Sequence, residues 1–315
     1  MDAKNITSFV EFIIVGFSDF PDLQVPIFLF FGLSYTITLI ANLFLTTLIY
    51  LSPTLKTPMY FLLSNLSILD VAFTSVTSPK LLYGYLAADN KISSIECVTQ
   101  FCFLGMFVTT EYLLLTIMSY DRYVAVCRPL HYSVILSEKF CTTTAIAVWL
   151  SGLIATVPVA VIASYNIYCK SNVINHLFCD ISTLLELTCS DTTVIRIILL
   201  IEGAFSLLTC FLLTVTSYIY IISSVLNISS SKGKHKAFST CASHLTTVSL
   251  FYLAILVLYF IPKAVTTRKQ RKVMTALYTN VIPMLNPLVY SLRNKDVKEA
   301  FVKIIRRKGL KCFWK

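Results

Sequence analysis

Residues 24–51 read QVPIFLFFGLSYTITLIANLFLTTLIYL, a run that contains no charged side chain. A helix needs about 20 predominantly apolar residues to cross a bilayer, so this run is long enough to span one. Six more apolar runs follow, at approximately 58–84, 96–127, 141–163, 195–226, 237–262 and 272–292. A membrane barrel would need short alternating segments, and these runs are long and unbroken. Composition agrees. Of 315 residues 56% are hydrophobic and only 13% charged, against roughly 25% charged in a typical soluble domain. The mean hydropathy is +0.76, and the chain holds 22 Phe and 17 Tyr. A soluble domain of this size could not hide so much apolar surface in one core, and disorder is excluded on the same grounds. The expected fold is an all-α membrane protein: a seven-transmembrane helix bundle over 24–292, an extracellular N-terminus over 1–23 and a cytoplasmic tail over 293–315. There is no linker, second domain or repeat.

An odd number of spans puts the two ends on opposite faces. Intervals on the C-terminal side carry Lys56; Arg122, Arg128 and Lys139; Lys232, Lys234 and Lys236; and nine basic residues from Arg293 to Lys315. That is sixteen of the 26 Lys and Arg, and the bias places the C-terminus in the cytoplasm. One interval resists the rule: Lys263, Arg268, Lys269, Arg271 and Lys272 crowd the last outer loop. The net charge of +10 reads as topology signal and contact with anionic lipid, not as a nucleic-acid footprint. No signal peptide opens the chain, so the first membrane helix is expected to act as the insertion signal. Asn5-Ile6-Thr7 is a glycosylation acceptor on the outer side.

Cys97 and Arg122 are 25 residues apart, about 37 Å along a helix. A third helix with Cys97 at one membrane surface therefore delivers Asp121-Arg122-Tyr123 to the other. The surrounding string runs Met118-Ser119-Tyr120-Asp121-Arg122-Tyr123-Val124-Ala125-Val126-Cys127-Arg128-Pro129-Leu130-His131-Tyr132. Three more strings follow the same order of helices. Pro58-Met59-Tyr60-Phe61-Leu62-Leu63-Ser64-Asn65-Leu66-Ser67 opens the second. Lys236-Ala237-Phe238-Ser239-Thr240-Cys241-Ala242-Ser243-His244-Leu245 opens the sixth. Pro283-Met284-Leu285-Asn286-Pro287-Leu288-Val289-Tyr290-Ser291-Leu292-Arg293-Asn294 closes the seventh. Together with Ser217-Tyr218 late in the fifth, they closely resemble the olfactory receptor family of rhodopsin-like G-protein-coupled receptors, in its tetrapod-type branch. Two positions depart from the family pattern: Ala41-Asn42 where Gly-Asn is usual, and Phe251-Tyr252-Leu253 where Phe-Tyr-Gly is usual.

The resemblance implies an odorant receptor in the plasma membrane. Such a receptor binds a small, mostly apolar volatile inside the bundle and activates a stimulatory heterotrimeric G protein, raising cAMP. It assigns coupling and activation to Asp121, Arg122, Tyr123, Tyr218, Asn286, Pro287 and Tyr290, with Arg122 on Asp121 at rest and turned toward Tyr218 when active. It also implies disulfides Cys97–Cys179 and Cys169–Cys189, both on the oxidising side. With Arg122 fixing the register, Leu104, Gly105, Val108 and Thr109 lie three to five turns outward and line the interior. Glu202, Phe205 and Ser206 are expected to face them from the fifth helix, Tyr252, Ile255, Leu256 and Tyr259 from the sixth, and Thr279 from the seventh. Glu202 is either a hydrogen-bond acceptor or counter-ion for a polar ligand, or the partner of water or a neighbouring hydroxyl.

Asp70 and Glu111 are ionisable residues inside spans, costly unless satisfied. Both sit about 16–18 Å in from the Arg122 face. With Asn286 as a third member, they suggest a shared proton or a bound cation, and in the wider superfamily this region resembles a sodium site. The alternative is two protonated acids bonded to neighbouring helices. No other cofactor is implied. Cys102, Cys127, Cys141, Cys210 and Cys241 read as packing residues, and Cys312 as a palmitoylation candidate. No Cys/His set has zinc spacing. Residues 294–307 form an amphipathic pattern, with Val297, Phe301, Ile304 and Ile305 on one face, suited to lie on the inner leaflet. A transporter or channel is the second class to weigh, but the inverted repeats and broken helices it calls for are not seen. An intramembrane enzyme would lack its nucleophile or metal set.

Overall fold

The computed structural model describes residues 10–18, 20–261 and 266–307. Asn5, Lys263 and Cys312 lie outside them. Seven long helices form the bundle: α1 (Gln24–Leu51), α2 (Pro58–Ala87), α3 (Ser94–Cys127), α4 (Glu138–Ser164), α5 (Thr193–Leu226), α6 (231–260) and α7 (268–293). An eighth, α8 (Lys295–Arg307), follows at once. Six of the long helices are apolar enough along their length to cross a membrane. The seventh is not uniformly apolar because it begins with Arg268-Lys269-Gln270-Arg271-Lys272. It still packs into the bundle, against α1, α2 and α6.

That basic run explains itself locally. Thr267 caps α7, accepting from the Gln270 amide at 3.2 Å while Gln270 Oε1 accepts from the Thr267 amide at 2.9 Å. Such a reciprocal box fixes where a helix starts. Arg271 is then held by the Ile261 carbonyl and the Thr266 hydroxyl, and Lys269 lies 4.7 Å from the Phe20 ring centroid. Lys272 is only 1% exposed. Its charged residues are built into a helix end and not strung along an open loop.

Of the spans, α3 is the most buried and α5 the least. Between lipid-facing helices no hydrophobic drive remains, so close approach depends on small residues. Gly105 and Gly152 supply this where α3 meets α4. A Cβ on Gly105 would stand 2.7 Å from Thr156 Cγ2, and one on Gly152 would stand 2.7 Å from the Met106 carbonyl oxygen. Tail helix α8 packs against the end of α1 and the turn after it, with Phe301 edge-on to Phe44 at 5.4 Å and Val297 and Ala300 buried.

The end of the bundle that carries Cys97 is capped by a small sheet. Strand β1 (Glu11–Ile14) lies between β2 (Lys91–Ser93), antiparallel, and β3 (Val173–Ile174), parallel. Phe12 and Ile14 point inward while Glu11 and Ile13 are exposed, the period-two pattern of a half-buried strand. The chain leaves β1 through Gly16, whose φ of 56° suits a residue without Cβ. Part of the expected plain N-terminus is therefore a structural strand. Both disulfides, Cys97–Cys179 and Cys169–Cys189, lie in this cap.

Candidate functional site

At the opposite end from the cap, the Asp121 carboxylate is wholly buried and engaged through both oxygens. Arg122 Nε donates to Oδ2 at 2.8 Å, Arg122 Nη2 donates to the same oxygen, and the Tyr132 hydroxyl donates to Oδ1 at 2.7 Å. A buried ion pair offsets its desolvation only when such extra bonds satisfy its remaining lone pairs. One helix over, the Tyr218 hydroxyl and His244 Nδ1 share a hydrogen bond of 2.6 Å, the two rings lying nearly parallel. This bond ties α5 to α6. In the sequence His244 is part of the string that opens the sixth helix and Tyr218 an activation residue, but their pairing is not legible there. Tyr123 packs its ring against Tyr120 and Tyr220.

Halfway along the bundle, Asn286 Nδ2 donates to both oxygens of Asp70, at 3.2 and 3.0 Å. Glu111 accepts from the Tyr278 hydroxyl at 3.1 Å. Asn286 Oδ1 is buried with no hydrogen-bond partner among the described residues. Tyr290, one turn on from Asn286, is buried, and Pro287 sits inside α7 between them.

Toward the cap, three helices each carry a π turn: Glu202–Leu207 in α5, Leu256–Phe260 in α6 and Leu277–Val281 in α7. A π turn closes i→i+5 and so holds one residue more than an α turn, a feature common at functional sites. These three turns contain six of the expected cavity residues, and they alter which side chains face inward. Glu202 and Ser206 remain partly buried, but Phe205 is 70% exposed and turns outward. In α6 the inward face runs through Phe251, Ile255 and Leu258, leaving Leu256 53% exposed on the outside. Gly105 is spent on the α4 contact. The Tyr259 side chain lies outside the described residues. Leu104, Val108, Thr109, Tyr252, Ile255 and Thr279 are buried or half-buried, and the Thr109 hydroxyl donates to Glu202 Oε1 at 2.9 Å. Thr279 sits apart, beside Asn280, Ser78 and Phe178, in a crevice with no room for a water-sized sphere.

Gln100 also had no signal in the sequence. Its amide nitrogen donates to the Val76 carbonyl and its oxygen accepts from the Cys179 amide, each at 2.9 Å. It clamps the disulfide-bearing loop to α2 and α3. Among the described residues, no group of three or more His, Cys, Asp or Glu is placed to hold a metal ion.

The olfactory receptor family model matches residues 31–308. The chain belongs to the olfactory receptor family. It is 43% identical over 311 residues to human olfactory receptor 8G1, covering 98% of this chain and 100% of that one. It is 44% identical over 303 residues to mouse olfactory receptor 5AP2, covering 96% of this chain and 95% of that one. The crystal structure of squid rhodopsin shares its fold, with a TM-score of 0.73 at 18% identity, over 93% of this chain and 84% of that one. An olfactory receptor is a multi-pass membrane receptor and not an enzyme, and the bonds above are to be read as parts of a signalling device.

Proposed function

We propose that this olfactory receptor binds a small, mostly apolar odorant between α3, α5 and α6 and activates a stimulatory G protein at the Arg122 end, raising cAMP. The observation that carries the reading is the pairing of two separable contacts at that end. Arg122 is held within α3 by Asp121, and Tyr218 is held to α6 by His244. Breaking the second frees α5 and α6 to part, and Arg122 can then exchange Asp121 for Tyr218 and the G protein. In this reading the cap faces outward, which puts both disulfides in an oxidising compartment, the N-terminus outside and the basic α8 on the inner leaflet.

At the ligand end, Glu202 and Thr109 form a polar pair in otherwise apolar surroundings. Few, convergent polar groups among apolar walls are the usual make-up of a small-molecule site. An odorant hydroxyl would compete for Glu202, loosening the bond between α3 and α5. Sodium fits the Asp70 region: the two carboxylates and the orphaned Asn286 Oδ1 are hard oxygen donors. There Asp70, Glu111 and Asn286 would hold the ion, whose charge would offset two buried acids and stiffen the resting bundle.

The test is an odorant panel applied to cells expressing the full chain, with cAMP and substrate flux read together. Odorant-evoked cAMP that is lost in Arg122→Ala at normal surface level is expected. Flux without cAMP would turn the reading toward a transporter.

A further inference from the structure

A groove of about 280 Å³ opens on the outside of the bundle between α5 and α6. Phe211, Val215, Ile219 and Ile222 form one wall, Leu245 and Val248 part of the other. No charged residue lines it. The α5 wall is exposed apolar surface, and both walls belong to membrane spans. The groove is thus continuous with the lipid-facing surface of α5.

Its dimensions and depth narrow the occupant. From Phe211 to Ile222 the helix rises about 16 Å, close to half of a hydrocarbon core of about 30 Å. Ile222 lies four residues from the end of the span at Leu226, so the groove runs through the leaflet on the Arg122 side. Beside the hydroxyls of Thr214, Tyr218, Ser249 and Tyr252 the lining is apolar and opens toward lipid, which favours hydrocarbon over water, and an empty void would forfeit dispersion contacts along both helices. Hydrocarbon from the same leaflet is the filler at hand.

We propose that this groove seats one acyl chain of a phospholipid from the Arg122-side leaflet. Tyr218 forms part of its floor, and the same ring carries the bond to His244. A seated chain packs against the resting latch, and parting α5 from α6 would dislodge it. Tyr252, one of the expected odorant-cavity residues, also lines the groove, so the two sites adjoin, but the occupant proposed here does not depend on which odorant binds.

The purified full-length chain is reconstituted in phosphatidylcholine vesicles whose lipid carries a photoactivatable diazirine in one acyl chain. After irradiation, lipid adducts are mapped by peptide mass spectrometry. Adducts on 211–222 and 245–252 are expected to exceed, several-fold, those on the equally lipid-facing Leu29, Leu33 and Ile40 of α1. Ser249→Phe, which places a ring in the groove, should reduce them to the α1 level. Uniform labelling of α1, α4 and the α5–α6 faces in the unaltered chain would overturn the proposal, whatever the variant does. So would enrichment that persists in a folded Ser249→Phe protein. Loss of the label on adding a small free alkane at low mole fraction would reassign the groove to a small apolar ligand and likewise overturn it.

Discussion

Substituting Gly105 and Gly152 one at a time separates helix packing from ligand binding. A Cβ on Gly105 meets one atom closely, Thr156 Cγ2 at 2.7 Å. A Cβ on Gly152 meets Thr110 Oγ1 at 2.6 Å and the Met106 carbonyl oxygen at 2.7 Å. Overpacking a close contact typically costs about 1–3 kcal/mol. Gly152→Ala should fall at the upper end, because a backbone carbonyl cannot rotate out of the way. Gly105→Ala should fall lower and be curable, since Thr156→Ser removes the one atom in conflict. A loss of about 2 kcal/mol is roughly a 30-fold change in a folding equilibrium, easily seen in surface delivery by flow cytometry and in thermal unfolding of purified protein. The double variant Gly105→Ala with Thr156→Ser should recover surface level and respond to odorant at unaltered potency. Thr110→Ser should not rescue Gly152→Ala. A well-delivered Gly105→Ala receptor with a shifted dose–response curve would refute the argument and return Gly105 to the ligand cavity.

Three further outcomes follow from other bonds. His244→Leu removes the partner of Tyr218; the loss of a net hydrogen bond of about 1 kcal/mol should raise basal cAMP by roughly fivefold, and an unchanged basal level would contradict the latch. Cys179→Ser should cost about 2–5 kcal/mol and sharply reduce surface delivery, with peptide mapping of the unaltered chain expected to find Cys97 joined to Cys179. His176, in the cap, has its imidazole pKa lowered, first by burial and then by Lys272 and Arg271, with Asp180 opposing. Because the folded cap holds it neutral, the unfolded state binds the proton more readily; the cap's stability is intact above about pH 6.5 and declines as pH falls below it. Hydrogen-exchange protection factors over 173–180, taken against the intrinsic rate at each pH, should fall between pH 7 and 5, and a His176→Gln protein should lose most of that dependence.

Helix order and extent were legible because six spans announce themselves by length and lack of charge and the seventh does so after its basic start at 268–272. The spacing of Cys97 from Arg122 put those two residues at opposite ends of α3. Strand β1 was not, since four residues carry little pattern and their partners come from loops some 80 and 160 positions away. The cavity residues went astray at the π turns for a definite reason. A regular helix count carries Phe205 near the face of Glu202, and the extra residue in the turn rotates it outward. Gly105's contact with Thr156 was not legible because a glycine on an inward-facing helix looks the same in sequence whether it makes room for a ligand or for a neighbouring helix. Pairings such as Tyr278 with Glu111 and Gln100 with Cys179 join distant segments, and nothing local encodes them.

The most direct test of the whole account compares full dose–response curves for cAMP in cells expressing the unaltered chain, Glu202→Gln and Arg122→Ala at matched surface level. The account predicts a shift in odorant potency with an intact maximum for Glu202→Gln, and no response at any concentration for Arg122→Ala. A normal curve from Arg122→Ala, or superimposable curves from all three, would contradict it.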